Sequence, residues 1–337
     1  MKWIKRLALV LGLCVAALAA YAIGTAQRTP NPVGFQTARV DSPSGPIAAA
    51  LWYPTSATPW PTTFLGGHLL SVAKDGPVRG TRLPVVVISH GNGGSALSHV
   101  DLAMALADAG YVVVAPTHAG DNYADDSRQG SPAIFSQRAG QVRAALDYVL
   151  QRWPDAGHLD PSRVGAYGMS AGGFTVLTLV GGQPDMAAIA THCRRSPEFV
   201  CKALAHAKSP LLAGGDGAGT FAKDARIRAA AVAAPGLGFT FADARLARVD
   251  VPMQVWSGER DELVPFASNA GIVQAGLGAR ADAQRLPGAS HTGFLAPCGL
   301  LKPPALCSDP EGFDRASAHA SMNAALIAFF NAKLGAG

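Results

Sequence analysis

Apolar positions along the chain alternate between short dense runs and stretches spaced near 3.6 residues. Residues 84–89 read Pro-Val-Val-Val-Ile-Ser, a β-branched run of the kind a sheet buries on both faces. After it, Val100, Ala103, Met104, Leu106 and Ala107 share one helical face, Gly110 stops that helix, and residues 111–116 form the next strand. A second helix opens at Ser131 and carries Val142, Leu146, Val149 and Leu150, until Pro154 and Gly157 end it. A strand holding Val164 and Tyr167 and a helix over 174–180 come next. Strands at 227–234, 252–257 and 281–286, a helix over about 265–277 and a closing helix over 312–334 continue the alternation. Strands alternating with helices predict an α/β fold with a doubly wound, mostly parallel sheet.

Three segments depart from that rhythm. Residues 35–41 and 47–53 alternate with period two and predict an antiparallel hairpin at a sheet edge, turning through Ser42-Pro43-Ser44-Gly45. Residues 55–80 show little periodicity and are expected to be a long loop. Residues 182–226 interrupt the alternation with an insertion. Insertions beyond the carboxyl ends of parallel strands cover the ligand crevice, so this one is expected to be a cap. With no internal repeat or linker, residues 30–337 are expected to form a single domain.

Composition changes the picture little. Apolar residues make up 49% and charged residues 15%, which suits a large buried sheet and excludes a disordered chain. The net charge is +5, and Lys2, Lys5 and Arg6 contribute three of those charges, so nothing calls for nucleic acid as a partner. Those three basic residues, the apolar run 7–20 and Ala20-Tyr21-Ala22 have the layout of a secretory signal over residues 1–22. Export to the periplasm or medium is the expectation; an uncleaved segment would instead anchor the chain to a membrane. Beyond Cys14, four cysteines remain, an even number that in an exported chain points to two disulfides. Each of the pairs Cys193/Cys201 and Cys298/Cys307 flanks a proline-broken loop, which favours local pairing. Eight residues of unbroken helix would separate two cysteines by roughly 12 Å, too far to bridge, so the first pair requires a turn near Pro197. A zinc site from His192, Cys193, Cys201 and His206 fits no common spacing, and no metal or cofactor is expected.

The candidate chemistry centres on Gly168-Met169-Ser170-Ala171-Gly172, a G-x-S-x-G sequence between a short strand and an apolar helix. A turn this tight strains the serine backbone, and the glycines remove side chains that would collide as strand and helix close. A serine hydroxyl needs a base, and the base needs an orienting group. The strand at 252–257 is followed by Glu259, Asp261 and Glu262; Asp261 is expected to be the orienting acid and the other two solvated loop charges. The last strand leads to His291 in a small-residue loop, placing serine, acid and histidine in the chain order expected of a sheet whose nucleophile sits on such an elbow. Negative charge developing on a carbonyl oxygen needs two N–H donors. The backbone amides of Ala171 and Asn92 are the candidates, with Gly91 and Gly93 shaping the His90–Gly94 loop and His90 structural.

This set of motifs resembles the α/β-hydrolase superfamily, and more narrowly the exported bacterial proteins grouped with dienelactone hydrolases and platelet-activating-factor acetylhydrolases. The likeness covers about residues 35–295 and includes Ala50-Leu51-Trp52-Tyr53-Pro54 and Ser89-His90-Gly91. It implies a serine esterase whose partner is a small-molecule ester, with short-acyl esters or acetylated or oxidised phospholipid-like esters as substrates. Dienelactone hydrolases carry cysteine at the elbow, so Ser170 departs from them. A lactone hydrolase, a peptidase or amidase on the same residues, and a silent binding protein are the alternatives. Phe239, Phe241, Trp256, Phe266 and Phe294 are candidates for an acyl pocket, and the loop Thr117–Asn122 could border it.

Overall fold

The computed structural model describes residues 2–215 and 219–335; three residues of the 182–226 insertion and the first residue of the expected signal therefore lie outside it. The strands are β1 (Val33–Val40), β2 (Ile47–Pro54), β3 (Trp60–Thr63), β4 (Leu69–Lys74), β5 (Leu83–Ser89), β6 (Val112–Pro116), β7 (Leu159–Met169), β8 (Ile227–Ala233), β9 (Met253–Gly258) and β10 (Ala281–Leu286). The helices are α1 (Lys2–Thr25), α2 (Val100–Asp108), α3 (Ile134–Asp147), α4 (Ala171–Leu179), α5 (Ala188–Arg195), α6 (Phe199–His206), α7 (Ala270–Leu277), α8 (Pro304–Cys307) and α9 (Arg315–Leu334).

All ten strands join one sheet in the order β10-β9-β8-β7-β5-β6-β2-β1-β4-β3. From β10 to β6 every neighbour is parallel, and β2 joins β6 antiparallel. The continuous run in β5 has the expected cause. Val85 and Val87 pack into the core under α3, α4 and α7, while Val86 and Ile88 pack into the core under α2 and α9. Helix α9 sits so close to β7 that a Cβ on Gly165 would lie 2.8 Å from the Phe330 ring.

The hairpin forms with the expected turn but is not at the sheet edge. Residues 55–80, expected to be a loop, contain β3 and β4, and these extend the sheet beyond β1. Strand β4 does alternate, burying Leu70 and Val72, but it is short and pairs with β1 at only Gly34↔Ala73 and Phe35↔Lys74. That distant partner has no local signature.

Both local disulfides are present. Cys193 and Cys201 bridge α5 and α6 with Cα atoms 5.4 Å apart, and the chain turns between Arg195 and Phe199, around Pro197. Cys298 and Cys307 close a second loop. The zinc alternative loses both thiolates to the first bridge. Helix α1 leaves Trp3, Leu7, Leu9, Leu11 and Leu13 exposed, and among the described residues no helix is long and apolar enough to cross a membrane.

Strand order reverses at β5, whose neighbours β6 and β7 lead to opposite sides. Crevices open at such reversals, beyond the carboxyl ends of the strands. The ends of β5 and β7 meet there, bringing together the His90–Gly94 loop and Ser170.

Candidate active site

Ser170 occupies the turn between β7 and α4 with φ 56° and ψ −120°, a region that costs a non-glycine residue about 1–3 kcal/mol. Three backbone hydrogen bonds hold it there. Its N–H donates to Ala233 O at 2.9 Å, and its carbonyl accepts from Phe174 N–H at 3.1 Å and Gly236 N–H at 3.0 Å. The flanking glycines are needed for close approach: a Cβ on Gly168 would lie 2.2 Å from Gly172 O, and one on Gly172 would lie 1.9 Å from Ser89 O.

The structure brings Ser170, His291 and Asp261 into one hydrogen-bonded line. His291 Nε2 lies 3.0 Å from Ser170 Oγ, and His291 Nδ1 lies 2.7 Å from Asp261 Oδ2. A carboxylate only accepts, so Nδ1 carries the proton and Nε2 offers its lone pair to the serine hydroxyl. The other Asp261 oxygen accepts from the N–H groups of Val264 at 2.8 Å and Leu263 at 3.1 Å, which fixes the carboxylate plane. Glu262 is exposed, and the exposed Glu259 instead accepts from Gly288 N–H.

The His90–Gly94 loop faces the serine: a Cβ on Gly91 would lie 3.4 Å from Ser170 Cβ. Its shape is set from beneath. His90 Nε2 accepts from His118 N–H at 2.9 Å, so Nδ1 is the protonated nitrogen and donates to Gly91 O at 2.6 Å. Burial first, and then the Arg138 charge, push the His90 pKa down to about 3, keeping the ring neutral. Asp121 Oδ1 accepts from Asn92 Nδ2 at 2.7 Å and Gly93 N–H at 2.9 Å, while Asp121 Oδ2 pairs with Arg138 at 2.6 Å. Arg138 also donates to His90 O. Gly93 and Gly94 N–H groups are thus committed, to Asp121 and to Gly91 O, whereas Asn92 N–H has no protein partner among the described residues. Ala171 N–H lies in the first turn of α4, where helix geometry supplies no acceptor.

A cavity of about 610 Å³ opens over Ser170 and His291. Its walls come from Leu65, Phe199, Leu263, Leu295, Leu301 and Leu306, together with the His90–Gly94 loop. The aromatic residues picked from sequence are elsewhere. Phe241, Trp256 and Phe294 are core residues, Phe239 stacks on His192, and Phe266 is on the surface. The Thr117–Asn122 loop braces the site through Asp121 but does not line the cavity, although the adjoining Tyr123 does.

Residues 71–233, from β4 to β8, match the model of the dienelactone hydrolase family. The fold is similar to that of a ferulic acid esterase from Streptomyces cinnamoneus, with a TM-score of 0.65 at 20% identity over 93% of this chain and 94% of that one. The chain is an ester-bond hydrolase of the α/β-hydrolase fold. A search of curated protein sequences finds no match. The family match takes in the hydrolase's elbow serine and glycine loop but ends before Asp261 and His291, so those two rest on geometry alone.

The residues that sequence reading passed over are Arg138 and the cavity leucines. Arg138 had a signal: it stands four residues before Val142, a charge within the buried stripe of α3. The leucines had none, since nothing local marks which apolar side chains end up facing a cavity.

Proposed function

We propose that the chain is a serine carboxylic-ester hydrolase working through an acyl-enzyme, with Ser170 as nucleophile, His291 as base and acid, and Asp261 orienting the imidazole. The line of hydrogen bonds from Asp261 through His291 to Ser170, at the floor of an open cavity, carries this reading. His291 Nε2 takes the hydroxyl proton as Ser170 Oγ adds to the ester carbonyl carbon. The carbonyl oxygen becomes an oxyanion and receives hydrogen bonds from the Ala171 and Asn92 N–H groups. The bond to the alcohol oxygen breaks, and His291 returns its proton to that oxygen. Water then gives a proton to His291 and adds to the acyl carbon. The bond to Ser170 breaks, Oγ recovers the proton, and the carboxylic acid leaves.

Ser170→Ala is expected to lower kcat for p-nitrophenyl butyrate by about 10⁶ and to end labelling by a fluorophosphonate. Turnover that survives the substitution overturns the mechanism. Short-acyl esters and acetylated or oxidised phospholipid-like esters are the substrates we place first for such assays. We also read residues 182–226 as a cap, because Phe199 of α6 lines the cavity. Residues 1–22 we read as an export signal, because two disulfides require an oxidising compartment to form.

A further inference from the structure

We propose that the cavity above Ser170 is a binding site for an ester carrying an extended apolar chain, and that the disulfide-closed loop Cys298–Cys307 is the wall that selects it. This inference rests on the ester-hydrolase reading. It starts from where the protein leaves apolar side chains in water. Beyond α1, every exposed large apolar side chain among the described residues lines this cavity except Trp60, Phe266 and Leu300, and Leu300 adjoins the lining residue Leu301. Leu301 is 63% exposed, Leu65 50% and Leu306 47%. Apolar side chains scattered singly over a surface need no explanation; gathered around one opening, they mark a surface that something apolar covers.

The wall that carries them is built to keep its shape. The Cys298–Cys307 bridge closes its base. Leu300 N–H donates to Gly67 O at 3.0 Å and Leu301 N–H donates to Gly66 O at 3.3 Å, joining the wall to the loop before β4. The two backbones touch so closely that a Cβ on Gly299 would lie 2.6 Å from the Gly67 carbonyl carbon. Just after the bridge, Arg315 pairs with Asp309 at 2.6 Å. A wall tied at these points does not fold its leucines away, so they remain bare until a ligand covers them. Phe199 and Leu263 add further apolar surface to the same cavity, which also borders Ser170. A short acyl group leaves most of about 610 Å³ unfilled, and apolar contact is what lets such a site tell one chain length from another.

The chain can belong to the acid or to the alcohol, and two substrate series separate these cases. The full chain is assayed below the critical micelle concentration with p-nitrophenyl acetate against p-nitrophenyl octanoate, and with ethyl acetate against octyl acetate. A rise in kcat/KM of about tenfold or more in the first series places the chain on the acid, and in the second on the alcohol. Leu301→Asp with Leu306→Asp, and separately Cys298→Ser with Cys307→Ser, are expected to lower the long-to-short ratio by about tenfold. Leu306→Ala, which leaves the loop's charge unchanged, should lower the ratio in the same direction. A ratio below about tenfold in both series, or one that all these variants leave unmoved, overturns the inference while Ser170-dependent acetate hydrolysis continues. Absence of Ser170-dependent hydrolysis of any of the four esters overturns the ester-hydrolase reading itself.

Discussion

Arg138 and Asp121 meet at 2.6 Å with their side chains only 1% and 5% exposed, directly beneath the glycine loop that faces Ser170. The pair holds that loop from both ends, Arg138 through His90 O and Asp121 through Asn92 and Gly93.

Removing one member leaves the other charged and buried. Arg138→Met is expected to lower the unfolding free energy by about 3–5 kcal/mol, measured by urea denaturation. Replacing both, with Arg138→Met and Asp121→Leu, should recover part of that stability while kcat/KM stays low, because the loop loses the ties that Arg138 makes to His90 O and Asp121 makes to Asn92 and Gly93. A single variant that unfolds at the wild-type midpoint would show the pair to be dispensable.

Gly172→Ala tests the elbow. The added Cβ would lie 1.9 Å from Ser89 O, a backbone atom of β5 that no rotamer change can relieve. Helix α4 must move off the strand, carrying Ser170 with it. We expect kcat/KM to fall by about 10²-fold and stability by about 1–3 kcal/mol or more. Crystallography of the variant would show the displacement, and an unmoved α4 with full activity would refute the steric argument.

Asp261→Asn keeps the shape but changes the proton. An amide can donate to Nδ1, which leaves the Nε2 proton facing Ser170 and no lone pair for its hydroxyl. The expected loss in kcat is about 10⁴ with an unchanged thermal midpoint. Steady-state kinetics against acetate esters reads it, and a loss below tenfold would remove Asp261 from its assigned role.

A second histidine–carboxylate pair supports the His291 turn. His319 Nδ1 meets Asp101 Oδ2 at 2.7 Å, and His319 Nε2 meets Gly293 O at 2.8 Å. Both partners only accept, so both ring nitrogens carry protons and His319 is an imidazolium. Burial opposes that charge, but Asp101 outweighs it and raises the His319 pKa. Burial likewise opposes the Asp101 charge, yet His319 and Asn323 bring its pKa down to about 2. The other histidine nearby, His99, is held by burial at a pKa of about 4 and stays neutral above that.

A raised histidine pKa stabilises fully below about 6.5, the ordinary histidine value, and the gain fades as pH climbs through the folded-state pKa. A lowered aspartate pKa stabilises fully above its ordinary 3.8, and that gain is lost as pH falls toward about 2. The contribution of the pair is therefore complete between about pH 4 and 6.5. The gap in thermal midpoint between wild type and His319→Gln should be widest there and should shrink toward pH 9. A gap that stays constant from pH 5 to 9 would contradict the charged pair.

What could be read without coordinates follows the range of the forces involved. The run Val85–Ile88 declares a buried strand because both faces need apolar side chains at once. The elbow declares itself because Gly168 answers a clash with Gly172 O only four residues away, although the clash at Gly172 is with the distant Ser89 O. Of the three pairings that four cysteines allow, the local one could be preferred because Pro197 breaks the helix that would have forbidden it, and the structure forms that one. Strand β4 was not readable, since it is short, its neighbour β3 is only four residues long, and what joins the two to the sheet is a two-residue pairing with β1 more than thirty residues earlier in the chain. Nor was the cavity, because Phe241 and Phe294 are as apolar as Leu301 and Leu306, and only tertiary packing decides which of them meets water.

The placement of α9 has a consequence for how the chain comes to fold. It follows all ten strands in sequence, yet it covers β7 and β8 in the middle of the sheet, with Phe330 pressed against Gly165. During synthesis Tyr167, Ala229 and Ala231 therefore stay uncovered on that face until Leu326 and Phe330 have emerged. Until then that face of the sheet stays sticky and unlocked, the state in which a chaperone has most to hold.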